Sequence, residues 1–151
     1  MLWMTHLVFA FLVGLLSLKF VNPSSLVIYF LFVLLGALIP DLDEPQSKLG
    51  RKFPISSNVI KLLFGHRGIV HSVFVAVLVS WLIWILIGKI YGIGLFLGYL
   101  SHLIGDSLTV QGVNFLWPFK LHIRGFIKTG GLIEYVLLVF FVLVIIWLII
   151  Y

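Results

Sequence analysis

Five apolar runs alternate with polar stretches along the chain, at residues 6–21, 25–39, 69–88, 93–108 and 132–151. The first is closed by Lys19 and the turn sequence Asn22-Pro23-Ser24, and the second by Pro40. The third carries Trp81 and Trp84 and closes at Gly88-Lys89. Read as helices, the third and fifth reach the ~20 apolar residues that a membrane span needs, within a range of about 17–25. The first, second and fourth fall short. They span only with their flanking residues, or lie in protein rather than lipid.

Two polar stretches separate these runs, at 40–68 and 109–131. The earlier one is rich in turn formers and charge, with a short helix expected near Asn58–Phe64. The later one mixes glycine with Phe115, Leu116, Trp117 and Phe119, which fits a loop lying at the membrane interface, where such side chains partition well.

Composition supports a lipid environment. Of 151 residues, 62% are hydrophobic and 10% charged, against about 25% charged in a soluble domain. A soluble fold of this size has too little interior for so many apolar side chains. One membrane domain over residues 1–151 is the expected organisation. The N-terminus has no basic residue before Lys19 and no small-residue cleavage pattern, so it is expected to be a retained helix rather than a signal peptide. Cysteine is absent, which excludes disulfides and thiolate metal sites and leaves nitrogen and oxygen ligands.

The net charge of +5 fits topology and anionic headgroups better than nucleic acid, which is not expected as a partner. If the helices alternate, both polar stretches share one side. They carry Lys48, Arg51, Lys52, Lys61, Arg67, Lys120, Arg124 and Lys128, while the other side has Lys19 and Lys89. Basic residues favour the inside, so the long loops and the N-terminus are expected to be cytoplasmic and the C-terminus outside.

The five acids and five histidines then fall on that same side. His6 starts the first helix, and Asp41, Asp43 and Glu44 follow the second. His66 and His71 flank the start of the third, and His102 and Asp106 close the fourth. His122 lies in the later loop, and Glu134 opens the fifth. Ionisable groups cost ~2.5–3.5 kcal/mol each at a bilayer centre, so they face protein and have a task. His102 and Asp106, four residues apart, share one helix face and can grip one ion; a helix–helix hydrogen bond would explain them too. Asp41 and Asp43 suit a hard or borderline cation, or are solvated loop acids. His66 and His71 flank a helix start where Arg67 offers phosphate-matching geometry, unless the segment is only a basic anchor. His6 alone reads as an interfacial polar residue, and His122 as headgroup-facing or structural. Glu134 complements its helix dipole. Singly each is ordinary, but their convergence on one face favours a site.

The residues Thr5-His6, Leu35-Gly36-Ala37-Leu38-Ile39-Pro40-Asp41-Leu42-Asp43, Gly65-His66-Arg67-Gly68-Ile69-Val70-His71-Ser72 and Gly98-Tyr99-Leu100-Ser101-His102-Leu103-Ile104-Gly105-Asp106 form an ordered set. Thr109, Gln111-Gly112, Leu116-Trp117-Pro118-Phe119, Thr129-Gly130-Gly131 and Glu134 continue it. Over nearly its whole length the chain resembles the YdjM-like family of membrane-bound metal-dependent hydrolases, also described as LexA-binding and inner-membrane-associated. That family is distantly similar to zinc-dependent phospholipase C and to zinc nucleases, all-helical enzymes with metals among His and Asp. The resemblance implies ligands at His6, Asp41, Asp43, His66, His71, His102 and Asp106, with Glu134 a ligand or acid/base. Lys128 stands where arginine is expected before Thr129-Gly130, which keeps charge and loses bidentate phosphate contact.

The expectation is an all-α membrane protein of about five short transmembrane helices, with two cytoplasmic loops bearing a metal site. Its expected activity is hydrolysis of a phosphoester in a membrane lipid or lipid-linked substrate. So many ligands suit two ions, zinc by expectation and manganese as the alternative. Arg67 would hold a non-reacting phosphate oxygen, and Asp43 or Glu134 would act as base. A divalent-metal transporter and a metal-stabilised structural or regulatory protein are the other readings, and an oligomer is left open. Transport sites sit near the midplane with broken helices and access from both sides. Here the outer half of each helix carries no charged residue apart from Lys19 and Lys89 near the ends, which counts against conduction. The LexA-binding description has no supporting feature in the sequence.

Overall fold

The computed structural model describes residues 1–43, 69–119 and 121–151, leaving the side chains of residues 42 and 43 aside. The chain is mostly helical. Among the described residues five α-helices follow in order: α1 (Trp3–Ser17), α2 (Leu26–Leu38), α3 (Val73–Leu86), α4 (Lys89–Ser107) and α5 (Leu132–Ile150). Short 3₁₀ turns at Ile39–Asp43 and Ile69–His71 follow α2 and precede α3. The helix expected near Asn58–Phe64 lies outside the described residues.

Local chemistry sets these boundaries. The Ser25 hydroxyl accepts from the Ile28 amide and starts α2, as an N-cap should. Ser72 does the same for α3 through the Phe74 amide. That cap shortens the third run. Residues 69–71 wind into the 3₁₀ turn and Gly88 takes a positive φ of 146° at the far end, so α3 has 14 residues rather than the expected span of 69–88. The fourth run is longer than expected, with α4 beginning at Lys89 rather than 93. The first is displaced, since α1 begins at Trp3 and ends at Ser17.

The helices α2 and α4 run side by side in the same direction. Tyr29 lies against Gly94, Val33 against Gly98 and Ala37 against His102, advancing one turn at each step. A Cβ on Gly98 would sit 1.8 Å from the Val33 carbonyl oxygen, and one on Gly36 would sit 2.1 Å from that of Leu95. Only glycine permits that approach. On the other side of α4, Gly92 faces the Ser80 carbonyl and Trp84 of α3. The core is accordingly small and aromatic: Ala76, Leu95, Tyr99, Leu103 and Val113 in one cluster, and Ala10, Tyr29, Val33 and Ala37 in another.

The later polar stretch adds an element that the all-α expectation lacked. Val113–Asn114 (β1) and His122–Ile123 (β2) pair antiparallel, the Val110 amide donates to the Ile127 carbonyl, and the Ile127 amide donates to that of Leu108. This ribbon folds beneath the end of α4. The start of α3 is tied to it by the Val73 amide on the Phe115 carbonyl and the Ser72 hydroxyl on that of Trp117.

Among the described residues one helix, α5, is long and apolar enough to cross a membrane, with a mean hydropathy of 3.0. The remaining apolar helices are 13–15 residues long. Large apolar side chains are nonetheless exposed along α2, α3 and α5, from Leu26 and Leu31 through Trp81 and Ile85 to Val139 and Leu143.

Candidate metal centre

The start of α1, the turn after α2, the turn before α3 and the end of α4 meet at one end of the bundle. Each delivers a polar side chain. His6, His71, His102 and Asp106 are all at most 2% exposed, and the Asp41 side chain is 20% exposed. One ligand atom each from His6, His102 and Asp106 falls within 4.8 Å of the others.

Asp106 is the hub. Its Oδ1 lies 3.3 Å from His6 Nε2 and 2.6 Å from the Met1 amino group. Its Oδ2 lies 3.6 Å from His71 Nε2 and 3.8 Å from His102 Nε2. His102 Nε2 is also 4.0 Å from Asp41 Oδ1. Two donors bound to one zinc at ~2.0–2.2 Å are at most ~4.4 Å apart, and the four histidine–carboxylate separations lie inside that limit. The two oxygens of Asp106 face different histidines, which is the arrangement of a carboxylate able to bridge.

The histidine rings are set by the helices. His102 Nδ1 donates to the Ala37 carbonyl at 2.7 Å, one of the carbonyls that the end of α2 leaves without an intrahelical partner. In the neutral ring that bond fixes the tautomer and leaves the lone pair on Nε2, as a backbone acceptor does behind a metal-binding histidine. His102 Nε2 is buried and has no hydrogen-bond partner, and so is His6 Nδ1. The His6 and His102 rings stack at 3.8 Å and 10°. Two imidazolium rings so placed would repel, so the stack suits neutral rings, the form that ligates metal. Buried polar atoms are ordinarily paired, and these unpaired nitrogens beside a buried carboxylate fit a divalent ion.

Supporting residues hold the cluster. The Tyr99 hydroxyl donates to the Val70 carbonyl and pins the turn bearing His71. Gly105 leaves space for His6, whose ring would lie 3.2 Å from a Cβ there. Sequence reasoning did not assign Tyr99 or Gly105, although Tyr99 lies one turn before His102 and so shares its helix side. Glu134 is fully buried but not part of the His6–His102–Asp106 group. Its Oε1 accepts from the Leu2 amide at 2.6 Å and its Oε2 from the Gly130 amide at 2.7 Å, so its carboxylate joins α1 to the turn before α5. His122 is exposed, with Nδ1 3.0 Å from the Asn114 side-chain oxygen. His66, Arg67 and Glu44 lie outside the described residues, as does the side chain of Asp43.

Relatives of the chain share its sequence in part. It is 42% identical over 106 residues to the uncharacterized protein YvsG of Bacillus subtilis (strain 168), covering 68% of this chain and 66% of that protein. It is 36% identical over 97 residues to the inner membrane protein YdjM of Escherichia coli (strain K12), covering 60% of this chain and 50% of that protein. The chain thus spans between half and just under two thirds of the length of these curated relatives. No solved structure matches it. The family model described as YdjM inner membrane protein matches residues 1–151, and the chain belongs to that family.

Proposed function

We propose that this chain is a multi-pass inner-membrane hydrolase that holds divalent metal at one end of its helix bundle and cleaves a phosphoester of a lipid or lipid-linked substrate. The observation that carries the reading is the unpartnered Nε2 of His102, buried beside Asp106 and oriented by the Ala37 carbonyl. His6, His71, His102, Asp41 and Asp106 would hold the metal. Two zinc ions suit the two faces of Asp106, with manganese the alternative. Bound metal supplies Lewis-acid charge that neutralises the oxyanions of a phosphoester. Glu134, with both oxygens on amides, acts as a positioning residue that fixes the first turn of α1 and hence His6. The roles of Asp43 as base or ligand, His66 as ligand and Arg67 as phosphate contact come from their place in the sequence.

If all five helices cross the membrane in alternation, the cluster and the ribbon would share one side with eight of the ten basic residues, which supports a cytoplasmic site and a C-terminus outside. A headgroup then reaches the site from the interface while its tails stay in the bilayer. A second reading, in which metal only fixes the helix ends, is favoured by the burial of His6, His71, His102 and Asp106, since structural metals are closed off by protein.

The test is purified protein in lipid with zinc or manganese, assayed on a panel of phospholipids beside His102→Ala and Asp41→Ala. Metal-dependent turnover lost in both variants is expected. Stoichiometric metal with equal turnover in all three proteins would favour the structural reading and sink the enzyme.

A further inference from the structure

At the other end of the bundle, α3 and α4 leave an open hollow of about 210 Å³ lined by Val77, Ser80, Trp81, Trp84, Gly92, Ile93 and Phe96. Ser80 and Gly92 are its small residues, and Trp81, Trp84 and Phe96 are its walls. The Ser80 hydroxyl is buried and points no polar atom into the hollow, so the lining is wholly apolar. Such a surface takes an apolar chain and rejects water.

One charge stands at its rim. Lys89 precedes Ile93 and Phe96 by four and seven residues, so it shares their face of α4. Its ammonium lies 5.4 Å from the centroid of the Trp84 ring, a cation–π contact that sets the charge beside the wall of the hollow. Lys89 is exposed and occupies the first turn of α4, whose cap residue, Gly88, has no side chain to accept from the turn's amides. The positive end of the helix dipole and the lysine therefore favour an anion at the same place. An apolar hollow with a cation at its mouth matches an amphiphile whose head is negative and whose tail is hydrocarbon.

We propose that the α3–α4 hollow binds an acyl chain of an anionic phospholipid whose phosphate pairs with Lys89. The site is distinct from the histidine cluster and would act as an anchor that fixes α3 against α4. It rests on the bilayer placement of these helices and not on the metal chemistry.

The test uses full-length protein carrying Trp3→Phe, Trp117→Phe and Trp147→Phe, so that fluorescence reports Trp81 and Trp84. It is placed in phosphatidylcholine vesicles doped with chain-brominated phosphatidylglycerol or chain-brominated phosphatidylcholine. Half-maximal quenching is expected at an about fivefold lower content of the anionic lipid, the effect of one lysine near an anionic surface. Lys89→Ala should abolish that preference. Val77→Phe with Ile93→Phe, which fills the hollow from exposed or half-exposed positions, should abolish it with Lys89 intact. Equal quenching by both lipids, or a preference that survives Lys89→Ala, overturns the site while leaving α3 in the bilayer. Quenching by neither lipid, as when a second copy covers the hollow, overturns the site and the exposure of α3 to lipid together.

Discussion

The helices α4 and α5 have the same length, 19 residues, and use it in opposite ways. Ten residues of α4 are buried, four of them glycines, and they include His102 and Asp106. In α5 only Glu134 and Phe141 are buried, with Phe141 stacked on Phe9 of α1. A polar site between short helices needs backbones close enough for one helix to hold the side chains of another. In α4 the glycines bring α2 close enough for the Ala37 carbonyl to orient His102. Because α5 carries no such load beyond its first turn, the rest of its surface is free to be uniformly apolar. The less apolar helix is thus the one bound most closely to protein.

The largest effect should come from ending that approach. Gly98→Leu puts a Cβ and more where the Val33 carbonyl lies 1.8 Å away, and no rotamer relieves a clash with backbone. A loss on the order of 4–5 kcal/mol is expected, as for the most severe single changes, read as unfolding at much lower denaturant in lipid or detergent. Next comes a charge in the middle of α5. Leu143 is 59% exposed, and Leu143→Arg should cost about 2.5–3.5 kcal/mol of insertion if hydrocarbon surrounds it. Glycosylation-tagged insertion of the two forms measures this directly. Equal insertion would place α5 outside the bilayer.

Much of this arrangement can be read from the residues, and the misses have physical causes. The gathering of His6, Asp41, His71, His102 and Asp106 follows from helix alternation, because alternation sends every second helix end to the same side. The glycine contacts between α2 and α4 were also written in the chain, at Gly36 and in the four-residue step from Gly94 to Gly98, a small-residue pattern that lets membrane helices touch. Periodicity of apolar residues does not reveal it, since glycine reads as neutral. The third run misled because apolarity continues through Ile69 and Val70 while hydrogen bonding does not. Ser72 caps α3 there, and Tyr99 holds the preceding turn. Glu134 could be read only as an acid at a helix start, because its partner at Leu2 is 132 residues away in sequence.

Glu134 is the one place where α5 carries a load like that of α4. Glu134→Ala leaves two amides, that of half-buried Leu2 and that of exposed Gly130, without their acceptor. The expected cost is about 1–2 kcal/mol, since water replaces the acceptor at Gly130 and the Leu2 amide carries most of the loss. Glu134→Gln keeps the shape but offers one acceptor oxygen in place of two, and should fall between. If the residue only positions α1, metal content and turnover should survive in Glu134→Gln at temperatures where it is folded. Loss of metal from a folded Glu134→Gln protein would return it to the ligand set.

The smallest expected effect is the most informative about what surrounds α5. Leu143→Ala removes a large side chain from a face that touches no other described helix closely. In water or in lipid the lost atoms had solvent for neighbours, so the folded and unfolded states lose them alike. Lipid tails are as apolar as leucine, and helices in a bilayer gain nothing from the hydrophobic effect between them. The change should therefore stay within about 0.5 kcal/mol, whereas an equivalent truncation in a packed core costs about 2–5 kcal/mol. Leu103→Ala in α4, at a side chain with no exposure, is the internal control and should show the core value. If Leu143→Ala also lost 2 kcal/mol or more in equilibrium unfolding, protein would have to cover that face of α5. Since the described residues leave it open, the cover would come from outside them, and the contrast between the two helices would hold only among the described residues.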